Sequence, residues 1–128
     1  SSADLQEVVD LLSAGGDVVV VDESRQDAVT AISGSGPAYL FYLAEHMIAA
    51  GVAAGLDAET AKTLAVQTLN GAAQLLSQSG EPAEELRRRV TSPNGTTHAA
   101  ITTFDQLGVG AGIEAGVRAA IGRSAELG

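Results

Sequence analysis

Between Val90 and Thr97 the chain reads Val-Thr-Ser-Pro-Asn-Gly-Thr-Thr, placing four hydroxyls, an amide and a glycine around one proline. Pro93 disfavours helix at Ser92, and the Asn94-Gly95 pair tolerates a positive φ, expected at Gly95. A helix is expected to start directly afterwards. Its first backbone N–H groups, at residues 95–97, then have no partner within the helix, and the positive end of the helix dipole faces the same way. Ser92, Thr96 and Thr97 can add hydroxyl donors. Such a turn is an anion cradle, and with no lysine in it a carboxylate suits it better than a polyphosphate. The alternative is ordinary N-capping, in which Thr96 or Asn94 satisfies the helix itself.

Other residues with chemical potential are less well placed. Arg87-Arg88-Arg89 is a basic cluster in an acidic chain; it either complements a helix C-terminus or faces an anionic ligand at the adjoining turn. Gly110-Ala111-Gly112-Ile113-Glu114-Ala115 matches a dinucleotide fingerprint, which requires a preceding strand and an acid about twenty residues later. A helix is expected before it and the sequence stops at Gly128, so close helix packing is the expected use of these glycines. His46 and His98 lack a second His or Cys at ligand spacing, so no metal site is expected. No Gly-x-Ser-x-Gly elbow occurs, which argues against a serine hydrolase.

The elements that must position this turn read as helices. Apolar and glycine/proline spacing predicts helices over residues 24–33, from Pro37 to about Gly55, from Asp57 to Gly80, from Pro82 to Val90, and over 96–107 and 111–126. Upstream, a helix over residues 3–13 is expected to end at Gly15-Gly16, followed by a Val18–Val21 run of the kind found in fully buried strands. A single strand cannot satisfy its own backbone, so its partners must lie elsewhere. The two central helices are apolar over far more than one stripe and require burial on several sides, which predicts a partner subunit.

Composition narrows the classes further. Sixteen acidic residues against seven basic ones argue against a nucleic-acid partner. The apolar stretch Ala38–Leu56 is interrupted by Glu45 and His46, costly groups in lipid, so no membrane span is expected. The polar, acidic start lacks the basic region of a signal peptide. The absence of cysteine fits a reducing compartment, and a cytoplasmic location is expected.

Two segments resemble a known family. Asp27 to Tyr39, "DAVTAISGSGPAY", is similar to the opening of the helical domain of pyrroline-5-carboxylate reductases, and Leu86 to Asp105, "LRRRVTSPNGTTHAAITTFD", to that family's signature. The resemblance implies an all-α bundle over residues 23–128 that interlocks with a second subunit in a homodimer or higher oligomer. Residues 1–22 would be the last helix and strand of a Rossmann domain. It further implies reduction of 1-pyrroline-5-carboxylate to L-proline with NADP or NAD as cofactor. The substrate carboxylate would sit on Ser92, Asn94, Gly95, Thr96 and Thr97, with the Thr97 hydroxyl facing the ring nitrogen. Glu23 matches a family acid near the substrate, and Arg89 a position near the cofactor. Asn94 replaces the glycine more usual before Gly95. Two rival readings are a helical interaction module without chemistry and the helical domain of a β-hydroxyacid-type dehydrogenase. The second requires a lysine in a glycine-spaced motif, which Lys62 does not provide.

Overall fold

The computed structural model describes residues 3–4 and 20–128. Ala3 and Asp4 are helical, but the rest of the expected helix over 3–13, Gly15-Gly16, and Val18 and Val19 of the valine run lie outside the described residues. Val20 and Val21 belong to no regular element, and no strand occurs among the described residues. A strand exists only with a neighbour to bond to, and none occurs among the described residues. The fold is all-α.

A 3₁₀ turn, Glu23–Arg25, leads into α1 (Gln26–Val29) and a π-turn (Thr30–Gly34); α2 (Gly36–Ala53), α3 (Ala58–Ser79), α4 (Ala83–Arg89), α5 (Thr96–Gln106) and α6 (Val109–Leu127) follow. The expected helix over residues 24–33 is therefore not one α-helix that breaks, but a helix that widens. In the π-turn the Ser35 N–H bonds to Thr30 O (2.9 Å) instead of to Ala31 O. Ala31 is fully buried, so its carbonyl needs another donor, and the Tyr39 hydroxyl supplies it at 2.7 Å. Pro37 sits in the first turn of α2, where its missing N–H costs nothing.

The end of α2 is fixed by Gly55, at φ 111°. Gly55 N–H bonds to Val52 O (3.0 Å) and Leu56 N–H to Gly51 O (3.1 Å), the paired bonds of a Schellman motif. Asp57 then caps α3 and the chain turns back on itself. At Gly51 a Cβ would lie 3.4 Å from Ala61 Cβ and from Leu56 Cδ1, so this glycine lets α2 and α3 approach closely. Of the Gly51-x-x-x-Gly55 spacing, one glycine serves packing inside the hairpin and the other ends the helix. Gly80, at φ 69°, ends α3, and Gly108, at φ 73°, separates α5 from α6. Pro82 is the N-cap residue of α4, its carbonyl accepting from the Glu85 and Leu86 N–H groups at 3.1 and 3.2 Å.

The packing falls into two groups. The α2–α3 hairpin is the more extensive; in the second, α1 and the π-turn pack on α6, and α6 packs on α5. A hydrogen bond from Ser124 Oγ to Asp27 Oδ1 (2.7 Å) ties α6 to α1. The buried core among the described residues consists of Ala31, Ala61 and Ala65. Large apolar side chains stay at the surface, Phe41 at 71% and Leu107 at 76% exposure, with Tyr42, Ile113 and Leu64 also exposed. The expectation that the central helices carry more apolar surface than one copy covers is met in the geometry. No helix among the described residues is long and apolar enough to cross a membrane.

Candidate functional site

The segment between α4 and α5 is a tight turn anchored at both ends. Thr91 bonds back onto α4 twice, through its hydroxyl to Arg87 O (2.6 Å) and its N–H to Arg88 O (3.1 Å). Ser92, Pro93, Asn94 and Gly95 then form a β-turn closed by Gly95 N–H to Ser92 O at 3.1 Å. Proline in the second position and a positive φ in the third (61° at Asn94) are the marks of a type II turn. The positive φ expected at Gly95 therefore falls one residue earlier. Gly95 itself has φ −86° and ψ −175°, an extended conformation open to any residue. What makes glycine matter here is crowding: a Cβ at this position would lie 3.3 Å from Ser92 O.

Gly95 is the N-cap of α5, and no side chain caps the helix. The capping alternative, through Asn94 or Thr96, is not realised in this chain. Because Gly95 N–H closes the turn, the unbonded donors are those of Thr96, Thr97 and His98, one residue further along than expected. The nearby hydroxyls are also uncommitted. Thr68, Thr91 and Thr103 donate to carbonyls four residues back, whereas Ser92, Thr96 and Thr97 make no such bond. Thr97 is half-buried; Ser92, Asn94 and Thr96 are exposed. The turn thus presents backbone N–H groups and free hydroxyls at the positive end of an 11-residue helix. Chemically it can hold a carboxylate and offer a hydrogen bond beside it.

The other candidate residues are less closely drawn in. Glu23 lies in the 3₁₀ turn, exposed, and forms no bond to the Ser92–Thr97 segment; its turn packs on α1. Arg89 is held by two carboxylates, Nη2 to Glu81 Oε1 and Nε to Glu85 Oε1, both at 3.1 Å. Glu85 also receives the fork of Arg88, with Nε at 2.9 Å from Oε2. The Arg88 hydrogen bond, followed by that of Arg89, lowers the Glu85 pKa to about 2. Arg87 is the member of the triplet with no acid paired to it among the described residues. The two Glu85 pairs follow the three- and four-residue spacings of a helix and could have been read from Glu85 and the arginines, whereas Glu81 precedes α4 and reaches Arg89 from eight residues away. The double anchorage of Thr91 gave no such signal.

The remaining motifs settle elsewhere. Gly110–Ala115 lies inside α6, after a helix and not a strand. A Cβ at Gly110, Gly112 or Gly116 would meet nothing within 4 Å, so the close packing expected of these glycines is not made among the described residues. His46 stacks edge-on against Tyr42, with ring centroids 4.6 Å apart. No cluster of His, Asp and Glu among the described residues could hold a metal ion. Two concavities have no lining residue from the turn, an apolar one between α2 and α3 around Met47, Leu56 and Leu64, and one around Asp27, Ser35 and Arg123.

Comparison with known proteins bears on this geometry. Residues 23–127 match the family described as pyrroline-5-carboxylate reductase dimerisation. A pyrroline-5-carboxylate reductase from Pseudomonas aeruginosa is 54% identical over 99% of this chain and 47% of its own length. The solved structure of a pyrroline-5-carboxylate reductase from Coxiella burnetii superposes with a TM-score of 0.93 at 34% identity, covering 99% of this chain and 47% of that one. The Plasmodium falciparum pyrroline carboxylate reductase, solved with NADP bound, gives 0.87 at 32% identity, covering 97% and 47%. The chain spans about half the length of the curated relatives it matches. By sequence over residues 23–127 and by fold, the chain belongs to the pyrroline-5-carboxylate reductase dimerisation family.

Proposed function

We propose that this chain is the C-terminal, subunit-pairing half of an NAD(P)H-dependent pyrroline-5-carboxylate reductase, and that the Ser92–Thr97 turn seats the substrate carboxylate. The observation that carries this reading is the start of α5, where backbone donors and three hydroxyls stand uncommitted within the family's signature segment. The backbone N–H groups of Thr96, Thr97 and His98 hold the carboxylate, Ser92 and Thr96 add hydroxyl donors, and the Thr97 hydroxyl meets the ring nitrogen. Gly95 keeps the approach open and Asn94 supplies the turn. Glu23 reaches the substrate only in the assembled enzyme and favours the cationic imine by its charge. Arg89, committed to Glu81 and Glu85, stiffens the end of α4 beside the turn and borders the cofactor from there.

The described residues contain no strand, glycine loop and helix in sequence, the arrangement that holds a dinucleotide pyrophosphate, so NADP or NAD is bound by another part of the enzyme. When bound, the nicotinamide supplies the hydride that converts the C=N carbon of 1-pyrroline-5-carboxylate to that of L-proline. A protonated imine is already electrophilic, so this half mainly orients it. Residues 23–128 form the helical domain and residues 1–22 the last part of a Rossmann domain. The exposed apolar faces of α2 and α3 pair with a second copy in a homodimer, and the enzyme works in the cytoplasm.

Thr97→Val tests the site, since it keeps the branched shape and deletes the hydroxyl. In a reductase carrying its cofactor half, kcat/KM is expected to fall roughly three- to a hundredfold, the worth of one hydrogen bond to a polar or charged partner. Cofactor affinity and thermal stability should be unchanged. Wild-type kinetics in this variant would place the substrate elsewhere.

A further inference from the structure

The chain has two asparagines, Asn70 and Asn94, and each is followed by glycine. They share the same local chemistry in opposite backbone settings. An Asn-Gly pair can convert spontaneously: the glycine nitrogen attacks the asparagine Cγ, an N–C bond forms, the Cγ–NH₂ bond breaks, and ammonia leaves with the glycine N–H proton. Water then opens the five-membered imide at either carbonyl, leaving aspartate or isoaspartate. No oxidant or cofactor enters the balance.

We infer that Asn94, and not Asn70, is a self-modification site that places a new negative charge, or an isoaspartyl kink, in the anion-binding turn. Ring closure requires the asparagine backbone to rotate and the glycine N–H to leave its acceptor. At Asn70 both are blocked, because the pair lies well inside the 22-residue α3 and the Gly71 N–H belongs to the helix ladder. At Asn94 one bond stands in the way, Gly95 N–H to Ser92 O at 3.1 Å, in an exposed turn. The Asn94 side chain makes no hydrogen bond that would hold it back. Glycine at position 95 leaves the attacking nitrogen unshielded by a side chain. The oxyanion that develops at Cγ forms next to the positive end of α5, whose first N–H groups are unbonded and favour negative charge there. The same donors that suit a carboxylate ligand favour its formation from the amide.

Peptide mapping of purified protein, held at neutral and mildly alkaline pH, tests the modification without any assay of activity. The amide-to-acid mass change and the isoaspartyl isomer should accumulate on the Asn94 peptide, faster at alkaline pH. Each net hydrogen bond restrains opening by a factor of about two to ten, so conversion at Asn94 should outpace Asn70 by roughly tenfold or more. Equal rates at the two sites overturn the inference. So does an intact Asn94 after a free peptide spanning residues 90–98 has converted.

The functional consequence rests on reading the turn as the carboxylate seat and has its own test. Asn94→Asp in the complete reductase should raise KM for pyrroline-5-carboxylate roughly three- to a hundredfold, the repulsion of two anions within one turn. An unchanged KM alongside Asn94-selective conversion would overturn that seat while the modification stands.

Discussion

Two helices of this chain begin in opposite ways. At α3 the Asp57 carboxylate accepts the Thr60 N–H at 2.8 Å and the Thr60 hydroxyl at 3.0 Å, so the positive helix end is closed by a charge of the protein's own. The Thr60 backbone bond is the main reason the Asp57 pKa is lowered. At α5 the equivalent position is Gly95, with no side chain to offer, and the donors face outward. Both ends have the same dipole and the same count of orphan N–H groups. One helix start is closed by the chain itself and the other is left open, as the proposed carboxylate seat requires.

The comparison can be broken most severely by giving α5 the cap that α3 has. Gly95→Asp fits the extended φ and ψ of that position, and its carboxylate would accept from the Thr97 or His98 N–H. Activity of a complete reductase should then fall about a hundredfold or more, because hydrogen bonds to a charged group are worth about 1.5–3 kcal/mol and the substrate loses several. The helix itself should gain, up to the crowding at Ser92 O, so urea unfolding should show stability near or above wild type. Full activity in this variant would mean that the open end is not the carboxylate seat.

The reverse change is smaller. Asp57→Ala leaves α3 open and should lower the urea midpoint of unfolding without altering substrate kinetics. Because the Asp57 pKa is lowered on folding, the capped state's advantage is present above its ordinary value of 3.8 and is lost as pH falls through the folded value. The capped and uncapped proteins should therefore converge in strong acid.

The smallest expected effect concerns the flank of the turn. The Glu85 pKa is lowered from 4.5 to about 2, so its pairing with Arg88 and Arg89 favours the folded state above pH 4.5 and ceases to do so as pH falls to about 2. These groups are on the surface and salt-screened, so Glu85→Gln should shift the acid-unfolding curve only slightly, and less at high ionic strength. A shift larger than that of Asp57→Ala would make the arginine cluster, not the cap, the main support of this region.

The helices were largely legible in the sequence because their ends carry strong punctuation. Gly55 and Gly80 stop helices with positive φ and Asp57 caps one, as their residue types imply. The turn was legible in kind but displaced by one residue in detail. Pro93 occupies the second turn position, which places the positive φ on the third residue, Asn94, and leaves Gly95 to close the hydrogen bond. An Asn-Gly pair alone does not say which member carries the strain. The π-turn was not foreseen, since widening depends on a tertiary donor, the Tyr39 hydroxyl, that spacing cannot reveal. Arg89 was read by position in a family motif, while its partner Glu85 follows from helix geometry and its partner Glu81, eight residues back and outside α4, does not.

The three-alanine core has a consequence for how the protein reaches its fold. Three small side chains contribute little to holding a chain that leaves Phe41, Leu107 and other large side chains at its surface. On the proposed pairing with a second copy, much of the driving force would be released only when two chains meet, which would make acquisition of structure a second-order process. Dilute chains should mature slowly and concentrated ones quickly, with a half-time that shortens as concentration rises. The window in which a newly made chain is open to proteolysis is thus set by how many copies are being made alongside it.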